Sequence, residues 1–269
     1  MVIYYYSSFK IKMTNRRKCA TIFFVKIRKG LFVMELKKDI WTKRDIKPFL
    51  DYLRTFSKGE EKAKWEQRIV ATALPCIAVP SPTVKKISSE LAKGNFISFI
   101  DLWIWDNFTC TSIIGSLIPK VKDLDKQKEY LYKFSQKADC WATTDCIKLK
   151  IKEKDENFYI SLASDYIVNT HTYTRRLGLI ILLKMVNDRT VESIFDIAIK
   201  LKNEKEYYVN MALAWLLAEC FAKQREKTLA FFEKREMQKF VINKTISKCR
   251  DSYRVSPEDK EMLLKYRIK

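Results

Sequence analysis

The chain has 269 residues, 47% of them hydrophobic, and a formal net charge of +20. It is long enough for one large core or a short array of repeats, and its basicity calls for a polyanionic partner: DNA, RNA or an anionic membrane surface. Five glycines and six prolines are too few for the tight turns of an all-β fold or a doubly wound sheet, which leaves helices.

The first 33 residues carry eight Lys/Arg (Lys10, Lys12, Arg16, Arg17, Lys18, Lys26, Arg28, Lys29) and no acid, so they supply +8 of the +20. Their apolar runs, such as Ala20 to Val25, are too short to span a membrane, and they lack the layout of a signal peptide. Met34 opens a more ordinary sequence. The expectation is a basic N-terminal extension, 1–33, ahead of a single domain, 34–269, with Met34 as the natural start. The rival reading is a basic DNA-contacting arm. Mass spectrometry of the protein from its own cell decides between them, because peptides from before Met34 would rule out the start at Met34.

From Asp45 onward the apolar spacing predicts helix after helix. Ile46 to Phe56 and Glu60 to Leu74 come first. The prolines of Ile77 to Pro82 predict a loop, with Ser81 or Thr83 capping a helix over Val84 to Ala92 that Gly94 ends. Ile97 to Trp105 is apolar enough to be buried. Helices follow over Ser112 to Val121, Asp123 to Lys137, Asp139 to Lys152, Asn157 to Val168, Tyr173 to Val186, Val191 to Lys202, Glu206 to Ala222, Thr228 to Glu233, Met237 to Cys249 and Pro257 to Tyr266. Residues Tyr173 to Leu183 can be laid on Tyr208 to Ala218 at an offset of 35, within the roughly 34–47 residues of two-helix repeats such as HEAT. The predicted fold is therefore all-α, an α-solenoid of HEAT-like two-helix repeats with a concave basic groove.

Seven cysteines (Cys19, Cys76, Cys110, Cys140, Cys146, Cys220, Cys249) form no C-x-x-C. They read as reduced thiols of a cytoplasmic protein. The single histidine, His171, rules out an H-E-x-x-H metal site, and no G-x-G-x-x-G or G-x-x-x-x-G-K-[ST] is present. No metal or cofactor is expected. His171 is read as a loop residue near a helix end, without chemistry.

One stretch stands out: Cys140-Trp141-Ala142-Thr143-Thr144-Asp145-Cys146. On a helix, Trp141 and Asp145 share a face, and the next turns of that face would carry Lys148 and Lys152, opposite an apolar set of Cys146, Ile147, Leu149 and Ile151. A large aromatic on a charged face asks for a ligand. Taken singly, Trp141 reads equally well as core, and Asp145 as a surface acid paired with Lys148 or Arg176. Arg175 and Arg176 fall in a first helical turn, where cations oppose the helix dipole by a few tenths of a kcal/mol or more. A phosphate or a carboxylate from a neighbouring repeat would offset that cost. Trp215 sits among aliphatic residues, yet Tyr208, Met211, Trp215 and Glu219 form a less aliphatic stripe.

With these residues in view, the chain resembles the DNA alkylation repair family, the AlkD-type glycosylases built on HEAT-like repeats. The resemblance rests on Asp139 to Asp145, on Tyr173-Thr174-Arg175-Arg176-Leu177, on Tyr207 to Trp215, and on the tail Arg250 to Val255. It covers roughly Asp45 to the C-terminus. It implies a site of Trp141, Asp145, Arg176 and Trp215, with Arg175 as the competing arginine. Around that site Arg175, Lys148, Lys152, Tyr208 and Tyr173 are the expected DNA contacts. The implied partner is double-stranded DNA with alkylated purines, met by a monomer with no membrane contact. The implied reaction is hydrolysis of the N-glycosidic bond of N3- and N7-alkylpurines, with no base-binding pocket. Two rivals from other classes are a non-catalytic DNA-binding repeat protein that recognises bent or branched DNA, and a protein-interaction scaffold. The first keeps salt-dependent DNA affinity without base release; the second binds no DNA at moderate salt.

Overall fold

The structure is a computed structural model that describes residues 23–27 and 30–269. Two short strands, β1 (Phe23–Ile27) and β2 (Gly30–Met34), pair antiparallel with Phe23 opposite Met34. From Lys43 to the end of the chain the regular elements are all helices. Its α-helices are α1 (Ile46–Arg54), α2 (Glu60–Val70), α3 (Ser81–Leu91), α4 (Phe96–Asp101), α5 (Phe108–Leu117), α6 (Leu124–Lys137), α7 (Trp141–Asp145), α8 (Glu156–Ile167), α9 (Thr172–Leu182), α10 (Val191–Ile199), α11 (Tyr207–Lys223), α12 (Arg225–Glu233), α13 (Lys239–Asp251) and α14 (Pro257–Met262). Most of the basic segment before Met34, including the lysines and arginines at 10–18, 28 and 29, lies outside the described residues.

The helices pack in two rows. In one, α3 touches α5, α5 touches α7, α7 touches α9, α9 touches α11, and α11 touches α13; in the other, α8 touches α10 and α10 touches α12. The rows are joined where α8 packs on α9 and α11 on α12. Between them runs one continuous apolar core, in which Phe49, Leu91, Ile113, Phe134, Leu177, Leu213, Leu217 and Val241 are fully buried. A row of amphipathic helices can bury its apolar faces only against a second row, which is why helical periodicity recurs from end to end. At the N-terminal end an edge-to-face cluster of Trp41, Phe49 and Phe99 closes the core, with centroids 5.0–5.8 Å apart. Among the described residues no helix is long and apolar enough to cross a membrane.

Two glycines are required by close approach. A Cβ on Gly94 would lie 2.6 Å from the Lys38 carbonyl oxygen, where the backbone N–H of Asn95 donates to that same oxygen. A Cβ on Gly115 would lie 2.3 Å from Cys146 Sγ, so glycine there lets α5 carry α7 at close range.

Several expected boundaries shift. Ser81 is the first residue of α3, not its cap; Pro80 takes the cap position and Pro82 lies in the first turn, where a missing N–H costs nothing. The apolar stretch from Ile97 breaks after Asp101, and Trp103 adopts a left-handed φ of 46°. Trp103 and Trp105 then fold back onto α6, beneath Lys133 and Lys137, whose Nζ atoms lie 4.3 and 5.3 Å from the respective ring centroids.

The largest correction concerns the helix expected over Asp139 to Lys152. It ends at Asp145, after five residues. Beyond it Ile147 and Leu149 are buried while Lys148, Lys150 and Lys152 are exposed. Ile-Lys-Leu-Lys-Ile-Lys alternates strictly, a period of two that belongs to extended chain and not to a helix. Lys148 and Lys152 therefore do not continue the face of Trp141 and Asp145; with Lys150 they form a separate exposed row. Ile147 and Leu149 are core, as expected.

Candidate functional site

The site is assembled around α7. Its start is anchored by Asp139, whose Oδ2 accepts from Thr72 Oγ1 and from the backbone N–H of Ala73, both at 2.7 Å. Gly115 seats its end against α5. In this short helix Thr143 and Thr144 face the core, while Trp141 and Asp145, four residues apart, stay partly exposed.

Arg176 reaches across from α9. Its Nη2 donates to both oxygens of Asp145, at 2.9 and 2.8 Å, and its Nε donates to Asp145 Oδ1 and Thr144 Oγ1, each at 3.1 Å. Its Nη1 donates to the Tyr208 carbonyl at the start of α11. One guanidinium thus ties α7, α9 and α11 together while only 5% exposed. A planar, forked donor suits a carboxylate held in two places. Among the described residues this leaves Arg176 one Nη1–H without an acceptor.

Arg175 points elsewhere. It donates to Glu204 at 2.7 and 3.2 Å and to the carbonyls of Asn169 and Thr170. Burial acts to raise the Glu204 carboxyl, but Arg175 and the N–H groups of Lys205 and Glu206 outweigh it and hold the group below its ordinary range. Both arginines of this first turn have therefore found a carboxylate from a neighbouring segment. Only Arg176 shares a partner with the Trp141 helix, which separates the two candidates.

Trp215 stands out on α11. From Val209 to Phe221 every residue is buried except Met211 and Trp215, and Trp215 is 37% exposed. It lies seven residues beyond Tyr208, two turns along the same face, so it shares a side with the carbonyl that Arg176 grips. Glu219, one turn further, is not an open member of this stripe. It is buried and takes Arg254 on both oxygens at 2.6 and 2.9 Å, with Lys223 at 3.2 Å, which lowers its pKa. That pair docks the tail, and the neighbouring Tyr253 is fully exposed.

Aromatic rings cross the helix starts. Tyr173 on α9 and Tyr208 on α11 lie 6.1 Å apart, Tyr208 and Tyr207 5.3 Å, and Tyr207 and Phe240 on α13 5.9 Å. Burial pushes the Tyr173 phenol up to about 12, so it remains a neutral donor. His171 precedes α9 and its carbonyl accepts from Thr174 and Arg175; burial lowers its pKa, aided by Arg175. The six thiols among the described residues are held in their protonated form: burial pushes Cys76, Cys110 and Cys249 up to about 12, and Cys140, Cys146 and Cys220 upward as well. The cleft between α13 and α14, lined by Ser247, Arg250, Asp251, Pro257, Lys260 and Glu261, includes none of the expected site residues.

The structure brings Asp145, Arg176 and the Tyr208 backbone into direct contact, with Trp141 one turn before Asp145 and Trp215 two turns beyond Tyr208. Arg175 is paired with Glu204 instead, and Lys148 and Lys152 lie exposed on the extended segment after α7. Sequence reasoning missed Thr144 and Glu204, each partner to an arginine, and the Phe240, Lys244, Lys248 stripe of α13. The spacing of that stripe, four residues each time on one helix, was the available signal.

No curated protein matches the chain. The family model for DNA alkylation repair enzymes matches residues 53–249, a span that runs from α1 through α13 and contains every residue of this site. The chain belongs to the DNA alkylation repair enzyme family.

Proposed function

We propose that the protein is a monomeric, cytoplasmic DNA glycosylase that hydrolyses the N-glycosidic bond of N3- and N7-alkylated purines in duplex DNA. Membership of a DNA alkylation repair family makes DNA the substrate class. The observation that carries the finer reading is the Asp145–Arg176 pair, a carboxylate held in two places at a partly exposed site. The two contact rows fit a HEAT-like solenoid, whose α7, α9, α11 and α13 would line a concave groove for the duplex.

An N3- or N7-alkylpurine is cationic, so it departs as a neutral base and needs no general acid. Positive charge then builds on the deoxyribose as an oxocarbenium-like species. The Asp145 carboxylate, held by Arg176, stabilises that charge and orients the attacking water. The faces of Trp141 and Trp215 hold the cationic nucleotide by cation–π attraction, about 0.5–2 kcal/mol each. The free Nη1–H of Arg176 gives one hydrogen bond to the phosphate at the lesion. Tyr173, Tyr208, Lys148 and Lys152 contact the backbone further out. Arg175, committed to Glu204, holds the start of α9 in place. A groove without a base pocket would accept bulky adducts. The direct test is release of free methylated base from a duplex carrying one N7-methylguanine; intact DNA after prolonged incubation would defeat the reading.

One observation favours a second reading. An arginine that spends most of its donors on Asp145 also describes a structural ion pair, and the protein would then bind bent or branched DNA without chemistry. Trp215→Ala separates the two. Because Trp215 is already 37% exposed, truncation costs little stability. In the glycosylase, lesion affinity and excision both fall about tenfold, the worth of one desolvated indole, while affinity for undamaged duplex is unchanged. A uniform loss on all DNA would mark Trp215 as a general contact.

A further inference from the structure

The α13 stripe of Phe240, Lys244 and Lys248 runs beside the Trp215 face of α11. Tyr207 opens α11 and Phe240 opens α13, and their rings meet at 5.9 Å. Since α11 and α13 pack together from matched N-terminal ends, they run parallel. Eight residues of helix, about 12 Å, lead from Tyr207 to Trp215 and equally from Phe240 to Lys248. Lys248 is therefore level with Trp215, and Lys244 with Met211.

Both lysines are half-buried, and neither forms an ion pair or a hydrogen bond among the described residues. Burial, then the neighbouring cations of Lys244 and Arg176, hold the Lys248 ammonium below its ordinary pKa; Asp251 and Asp145 act the other way and do not compensate. Like charges four apart on a helix repel, and partly desolvated cations without a counterion are costly. The Arg176 guanidinium is largely consumed by Asp145. The excess positive charge on this side of the site thus lies on α13, where no described carboxylate pairs with either lysine and the nearest acids, Asp251 and Asp145, do not offset burial and the neighbouring cations.

We propose that Lys244 and Lys248 form a phosphodiester-binding site, gripping the DNA strand whose nucleotide rests on Trp215. The lysines supply the anion contact that Arg176 can give with only one N–H. This inference rests on DNA being the substrate, and on the glycosylase reading only for which nucleotide lies at Trp215.

The experiment measures affinity for a plain duplex against salt concentration, for wild type, Lys244→Gln/Lys248→Gln, Lys248→Arg and, as a control, Lys202→Gln, an exposed lysine beyond α10. Each phosphate contact contributes about 0.9 to the slope of log K against log salt. The double variant should lose about 1.8 from that slope, equivalent to about 60-fold in affinity near 0.1 M salt. Lys248→Arg should retain the slope, as should Lys202→Gln. The double variant should melt no lower than wild type, because a repulsion has been removed. An unchanged slope, or a lower Tm with the slope intact, would overturn the site. Wild type that binds with the expected slope but releases no base leaves this site standing and removes only the glycosylase chemistry. Wild type that binds no duplex overturns both.

Discussion

Asp145→Asn is expected to bind lesion-containing duplex about as well as wild type and to excise the base about 10²–10³-fold more slowly. The substitution keeps the size of the side chain and an acceptor for Arg176, but removes the negative charge that faces the developing oxocarbenium ion. Loss of one preorganised electrostatic contact has that order of effect on rate. The same change leaves Arg176, only 5% exposed, as an uncompensated cation, so stability should fall by about 1–3 kcal/mol. Rate and melting must therefore be read together, with single-turnover excision measured well below the variant's Tm. Equal excision rates in a folded variant would remove Asp145 from the mechanism and return the pair to a purely structural role.

Arg176→Ala should be the most damaging single change to folding. It strips partners from Asp145, Thr144 and the Tyr208 carbonyl at once and uncouples α7, α9 and α11. Breaking a buried pair by removing one partner costs about 3–5 kcal/mol, because the other charge is left behind. For a chain of this size that is a fall in Tm of about 6–20 °C. Arg176→Lys should recover only a fraction, since an ammonium cannot hold both carboxylate oxygens and the Tyr208 carbonyl in one plane. The double variant Arg176→Ala/Asp145→Ala supplies the control: it should be more stable than Arg176→Ala alone, as no buried charge is stranded. If Arg176→Ala melts with wild type, the pair is solvated in solution and does not organise the site.

Trp141 and Asp145 were legible because four residues is a helical spacing, and their helix does exist there. That helix stops at Asp145, and the alternation of Ile147 to Lys152 is what sets its length. An extended segment and a helix draw on the same residue types, and only period separates them. Arg175 and Arg176 were legible as cations in need of an anion, but adjacent residues on a helix point about 100° apart. Which one meets Asp145 and which Glu204 depends on how α9 is rotated against its neighbours. Glu204 lies 29 residues from Arg175, a separation that carries no local signal.

The sequence by itself determined that the regular elements from Asp45 onward are helices, that its excess positive charge suits a polyanionic partner, and which family it joins. Those properties follow from composition, 3.6-residue periodicity and short motifs, all of which are local or additive. Tertiary structure alone decided that Arg176 is bound to Asp145, that Trp215 is left exposed amid the buried middle of its helix, and that Lys244 and Lys248 lie on the neighbouring helix beside it. These depend on the rotation and register of α7, α9, α11 and α13 against one another, which the packing of the whole core sets and no single segment encodes.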